Sequence, residues 1–315
     1  ESGGQVGDTG TVRSSGGEGI VQDTEKKLGA LHVHVVKVTK GEFKVGDTVD
    51  FVVDGEKRRA TRANHSATHL LHAALKRVLG NHVSQKGSLV APDRLRFDFS
   101  HPKPVSAEEL ERIELMVNAV IRQNSDALTR IMPTDQAVAA GAEALFGEKY
   151  GDEVRVLTMG EDPNEAKPYS VELCGGTHVR RLGDIGLFTI LSESAVAAGV
   201  RRIEALTSEG ARKYLSGQAE IAREAAAALK TSAAELTQRV TQLADERRRL
   251  ERELADAKRA LALSGPTRSS DGDGAKTIAG VKAILRVVEG VSAKDLKGLA
   301  DDAKSKVGSG VVAFV

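Results

Sequence analysis

The chain has no tryptophan, a single cysteine, seven prolines, and tyrosine and phenylalanine totals of 3 and 7. With aromatics at 3% of residues, a stacking platform for single-stranded nucleic acid is not expected. One cysteine excludes a disulfide framework. No apolar run approaches the ~20 residues that a membrane span needs, and no charged-then-apolar signal segment opens the chain. Charge of one sign is also missing. Lys+Arg total 45 and Asp+Glu 44, a net charge of +1, so affinity for nucleic acid or membrane has to come from local patches. A soluble, cytoplasmic protein is expected. The 315 residues, 40% of them hydrophobic, suffice for two or three domains with cores of their own. A glycine-rich start and an apolar finish give both ends the look of cuts from something longer.

Residues 1–60 read as β structure, with alternation in Leu31-His-Val-His-Val-Val-Lys-Val38 and a second run, Thr48–Val53, closed by the turn signal Asp54-Gly55. The opening Gly3-Gly4 segment fits either a turn-rich connection or a loop whose backbone approaches a ligand. Residues 61–207 mix periods: a helix from Ala63, strands at Gly87–Val90 and Leu95–Phe99, a helix opened by the capping box Ser106/Glu109, and a strand at Val154–Met159. A surface loop is expected at Gly160–Pro168 and a further strand at Gly186–Ser192. Residues 208–263 carry apolar positions in alternating three- and four-residue steps, among them Val240, Leu250 and Leu254, a coiled-coil pattern. A second capping box at Ser232/Glu235 predicts a break near Thr231 and two antiparallel helices. Residues 264–275 read as a linker. Residues 276–315 read strand, helix, strand, with Val311–Val315 expected as a strand buried on both faces of an incomplete α/β domain. The fold class is α+β, with a small β-barrel-like N-terminal subdomain ahead of the core.

The candidate chemistry lies in two pairs. His65 and His69 are spaced i, i+4 on the predicted helix, so both imidazoles face one way. About 105 residues later, Cys174-Gly-Gly-Thr-His178 places the lone cysteine four residues before another histidine, with glycines that permit a tight fold. A histidine pair alone is more often packed or solvated, and a lone cysteine is usually a small buried hydrophobe. Together they make a tetrahedral Zn²⁺ set of His65, His69, Cys174 and His178. His72 shares the face and reads as a core or outer partner. Four protein ligands suggest a closed structural site, whereas the long separation and Thr68 beside the ligands suggest chemistry; spacing leaves both open.

Glu1-Ser-Gly-Gly-Gln-Val-Gly-Asp-Thr-Gly10, Asn64-His-Ser-Ala-Thr-His-Leu-Leu-His-Ala-Ala-Leu75, Ser84-Gln-Lys-Gly-Ser88 and Cys174-Gly-Gly-Thr-His178 resemble, in this order, the editing half of the alanyl-tRNA synthetases. The likeness covers editing domain, helical connector and the start of a C-terminal tRNA-binding domain, and excludes the aminoacylation domain. The related threonyl enzymes share the histidine helix. What the resemblance implies is proofreading: hydrolysis of tRNA(Ala) mischarged with serine or glycine, with the four residues above as zinc ligands. It also implies that Thr68 recognises the serine hydroxyl, that Gln85 is needed for editing, and that Gly3 and Gly4 belong to the same pocket. The segment Gly160–Ser170 is longer than expected in some relatives, which affects the pocket rim. Such a second site makes sense because a methylene or hydroxyl difference gives an aminoacylation pocket only ~1–3 kcal/mol of discrimination.

With a tRNA partner implied, the basic clusters acquire a destination. Arg58, Arg59 and Arg62 precede the histidine pair, and Arg201 and Arg202 follow the cysteine segment; around one pocket they would hold acceptor-stem phosphates. Arg247-Arg248-Arg249 is a further candidate, although charge runs usually mark solvated faces. The missing aminoacylation domain would be a partner within the parent chain, and a homodimer would form through the C-terminal region. Two alternatives stand beside this reading: a freestanding deacylase of the same superfamily, and a zinc-stabilised tRNA-binding module without hydrolysis.

Overall fold

The computed structural model describes residues 4–28, 31–143, 151–264, 275–287 and 293–314. It divides into two compact units, Glu1–Gln218 and Ala219–Val315. The expected linker at 264–275 lies largely outside the described residues, as does Gly3.

The first unit opens with β1 (Gly10–Arg13), β2 (Gly17–Lys27), β3 (Leu31–Gly41) and β4 (Asp50–Val53). These pair antiparallel in the order β3-β2-β1-β4. Alternation drives the pairing, yet the sheet does not close: β3 and β4 are opposite edges, so the barrel-like subdomain is corrected to an open four-stranded sheet. Among its hydrophobic side chains Val12 and Val21 alone are buried, whereas Val35, Val38, Phe51, Val52 and Val53 remain exposed. With few side chains to enclose, curvature sufficient for closure has nothing to pack around.

Next come α1 (Gly55–Leu79), β5 (Gln85–Val90), β6 (Leu95–Ser100), α2 (Ala107–Gln123), β7 (Leu128–Pro133), α3 (Thr134–Ala139), β8 (Glu153–Glu161) and β9 (Pro168–Leu173). β10 (Phe188–Ala197), β11 (Val200–Thr207) and α4 (Ser208–Ala228) follow, the boundary between the units falling within α4. Two antiparallel sheets result, β10-β11-β6-β5 and β7-β8-β9. Their inner faces share one core with α1 and α2, in which Leu70, Leu71, Leu75, Phe97, Phe99, Ile113, Val117, Leu157, Phe188 and Ile203 meet. Each large side chain contributes about 1.5–3 kcal/mol by leaving water. In β6 the alternation is direct: Leu95, Phe97 and Phe99 point inward. The expected capping box forms, Glu109 N–H to Ser106 Oγ at 3.2 Å and Ser106 N–H to Glu109 Oε2 at 2.8 Å. Asn124 ends α2 in the left-handed conformation. The expected loop between β8 and β9 is shorter than Gly160–Pro168, because β8 runs on to Glu161.

The second unit contains α5 (Leu236–Ser264), β12 (Lys276–Ile278), β13 (Val281–Arg286), α6 (Ala293–Val307) and β14 (Gly310–Phe314). The break near Thr231 is present, and Lys230 takes a positive φ of 52° there. Ser232, however, donates its hydroxyl to Glu235 at 2.9 Å and caps no N–H. Val240, Leu250 and Leu254 along α5 are 51–57% exposed, so this apolar seam is uncovered among the described residues. β13 and β14 pair parallel. β14 is nevertheless an edge strand with Val311 exposed, since a strand buried on both faces needs neighbours that the described residues do not supply. No helix among the described residues is long and apolar enough to cross a membrane.

Candidate metal centre

α1 begins at an N-cap, Asp54, whose Oδ1 accepts from Glu56 and Lys57 N–H at 3.1 and 3.0 Å. Its middle four turns are buried on every side, from Ala63 to Leu75. Leucines and alanines there meet the core, and His65, Ser66, Thr68, His69 and His72 are buried on the polar side. The second half of the site descends from β9. Cys174 N–H donates to the Arg155 carbonyl of β8 at 3.0 Å, which carries the strand pairing up to the cysteine. Gly176 then has to be glycine: a Cβ there would lie 2.1 Å from His65 Cε1. Arg155 donates to the Gly176 carbonyl and steadies the loop from below.

These segments bring His65, His69, Cys174 and His178 together, with one candidate ligand atom from each lying within 4.8 Å of the others. Cys174 Sγ lies 3.5 Å from His65 Nε2 and 3.3 Å from His178 Nε2. His69 Nε2 is buried with no hydrogen-bond partner. A buried imidazole nitrogen lacking any partner is costly unless something fills the space before it.

The opposite nitrogens are all held. His65 Nδ1 meets Gln5 Oε1 at 2.9 Å, His69 Nδ1 meets Glu172 Oε2 at 2.5 Å, and His178 Nδ1 meets Ser66 Oγ at 3.2 Å. Glu172 reaches His72 Nδ1 as well, at 3.1 Å. Burial alone would raise the Glu172 carboxyl, but His69 and His72 outweigh it and hold the group below the ordinary carboxylate range. Burial likewise opposes ionisation of His69, yet Glu172 and Cys174 push it up to about 10. Cys174 is held as thiolate despite burial by His69, His178 and His65. Three imidazole nitrogens and one thiolate suit Zn²⁺, and the outer acceptors leave Nε2 of His65 and His69 free to ligate.

The other candidate residues are placed as follows. Thr68 is buried, and its hydroxyl donates to the Asn64 carbonyl at 2.8 Å. Gln85 starts β5, half-buried, opposite Phe99. Gly4 takes φ +77°, and a Cβ there would press to 2.3 Å from the Ser88 carbonyl oxygen. Arg58 forms a bidentate pair with Asp8. Arg201 is bidentate to Glu193 and Arg202 to Asp98, at 2.6–2.7 Å for the latter. Arg62 Nε is buried without a partner. A cavity of about 610 Å³ has Glu172, Glu143, Lys76 and Ser170 in its wall.

Reading the sequence for ligands passes over Gln5, Ser66, Arg155 and Glu172. Glu172 was within reach of the pattern, because Ser170, Glu172 and Cys174 alternate on one face of β9. Gln5 carried no such signal beyond its place in the glycine-rich stretch.

Residues 154–204 match the family described as the threonyl and alanyl tRNA synthetase second additional domain, and residues 1–57 match class II (A) tRNA synthetases. The alanine–tRNA ligase of Parvibaculum lavamentivorans is 62% identical over 318 aligned residues, covering 100% of this chain and 36% of that protein. Those of Rhizobium meliloti and Sinorhizobium medicae are each 58% identical with the same coverage. The chain therefore spans about a third of the length of these relatives.

Proposed function

Because the chain is related along its whole length to the alanyl-tRNA synthetases, we propose that it carries a proofreading centre of that family and hydrolyses tRNA(Ala) mischarged with serine or glycine. The observation that supports this reading is the convergence of His65, His69, Cys174 and His178 next to Thr68. Water adds to the ester carbonyl, the bond to the ribose oxygen breaks, and a proton ends on that oxygen. When bound, Zn²⁺ supplies a fixed positive charge for an oxygen or amino group of the substrate, in addition to joining α1 to the cysteine loop.

Thr68 sorts the substrates. Its proton is committed to the Asn64 carbonyl, so its oxygen has only lone pairs to offer. Serine can donate a hydroxyl to it and alanine cannot, a difference worth about 1–3 kcal/mol. Glycine enters by size. By the same resemblance, Gln85 is needed for the editing step and the Gly4 loop belongs to the pocket. Arg59 and Arg62 are the basic residues offered to acceptor-end phosphates, because Arg58, Arg201 and Arg202 are engaged with Asp8, Glu193 and Asp98.

The test is deacylation of seryl-, glycyl- and alanyl-tRNA(Ala) by the chain and by its Cys174→Ala variant, with metal content measured in both. Hydrolysis of the first two substrates, sparing of the third, and loss with Cys174→Ala are expected. Binding of tRNA with no hydrolysis of any ester would replace this reading by that of a non-catalytic, zinc-stabilised module.

A further inference from the structure

Resting on that metal-centre reading, we infer that Gln5 is a positioning residue: it fixes the tautomer of His65 and latches the glycine-rich N-terminal loop onto the cysteine loop. Gln5 is 7% exposed, and its Oε1 faces three groups. Thr177 N–H donates at 2.9 Å, the Thr177 hydroxyl donates at 3.0 Å, and His65 Nδ1 lies at 2.9 Å. A backbone N–H can only donate, so the Gln5 atom meeting it has to be the carbonyl oxygen. That oxygen has no proton to give. His65 Nδ1 must therefore carry the hydrogen, which leaves Nε2 with its lone pair facing Cys174 Sγ at 3.5 Å.

The local chain shows how Gln5 is delivered. Gly4 lies against the Ser88 carbonyl in a positive-φ conformation that excludes a side chain. Gln5 forms an isolated parallel bridge with Val90, and Val6 N–H donates to the Val90 carbonyl at 3.0 Å. The loop is thus pinned to β5 directly beside Gln5. From the other side, a Cβ on Gly176 would reach 3.1 Å from Gln5 Oε1, so the cysteine loop also closes onto the same oxygen. One carbonyl consequently joins segments separated by 60 and 172 residues. Glu172 and Ser66 differ in this respect. They hold their histidines from β9 and α1, the elements that already carry or adjoin the ligands, whereas Gln5 comes from a loop with no ligand of its own.

The experiment titrates Co²⁺ into the full chain and its Gln5→Leu and Gln5→Glu variants, following the tetrahedral absorption bands, and measures Zn²⁺ affinity by chelator competition. Wild type should show a thiolate-containing tetrahedral spectrum. Gln5→Leu should bind about 10–100-fold more weakly with altered bands, in line with loss of an outer partner of a ligating histidine. Gln5→Glu, which keeps an acceptor oxygen, should recover most of the affinity. Unchanged affinity and spectrum in Gln5→Leu would overturn the inference while leaving the metal centre intact. A wild-type protein that binds no Co²⁺ overturns the metal centre and the inference with it. Should Gln5→Leu fail to fold, ¹H–¹⁵N spectra of zinc-loaded wild type decide: a slowly exchanging Nδ1 proton on His65 supports the latch, and its absence refutes it.

Discussion

Around Cys174 the ionisable side chains of His65, His69 and Glu172 are 2–3% exposed and find partners 60 to 103 residues away in sequence. Along α5, Arg247 pairs with Glu251 and Arg249 with Glu253, one turn away, with every member more than 60% exposed. Both regions are rich in charge, but water shares the second set and is excluded from the first. Exposed pairs at helical spacing are worth a few tenths of a kcal/mol and leave the fold indifferent to any one of them. Buried groups have no such latitude. Each must meet a specific atom, and the whole arrangement has one geometry.

Breaking the buried set should therefore have the largest effect. Glu172→Gln keeps the shape and removes the charge that His69 and His72 share; metal affinity measured by chelator competition should fall about 10–100-fold. The same variant carries a pH signature in the metal-free protein. The Glu172 carboxyl is held below its ordinary value of 4.5 in the folded state, so the stability it confers is present above that pH and lost as pH falls. Thermal midpoints of wild type should decline on the acid side more steeply than those of Glu172→Gln, and superimposable acid limbs would contradict the assigned contacts. An effect of comparable size is expected at Thr68. Thr68→Val should reduce seryl-tRNA deacylation by about 5- to 150-fold, the equivalent of 1–3 kcal/mol, and leave glycyl-tRNA close to wild type. Equal losses on both substrates would point to packing and not to hydroxyl recognition. The smallest change belongs to the arm. Arg249→Ala in α5 should alter stability, measured by urea denaturation, by less than about 0.5 kcal/mol. A larger loss would mean that this face of α5 is covered in solution.

The elements were legible for ordinary reasons. Alternation in Leu95–Phe99, the capping box at Ser106, and the helical spacing of His65 and His69 depend on neighbours within a few residues. Both candidate ligand pairs are legible the same way, each being local. What was not legible were contacts across distance. Closure of the N-terminal sheet depends on what packs against Phe51, and that side chain carries no such information in its own segment. The acidic partners of Arg201 and Arg202 are likewise set across distance, because β11 pairs with β10 and β6 and brings Glu193 and Asp98 against them.

By itself the sequence determined which residues are able to ligate, because side-chain chemistry and i, i+4 spacing belong to the chain however it folds. Tertiary structure alone decided which nitrogen of each histidine is free. That choice rests on whether Gln5, Ser66 or Glu172 arrives at the opposite edge of the ring, and a hydrogen bond about 3 Å long between residues scores of positions apart exists only once the backbone has brought them there.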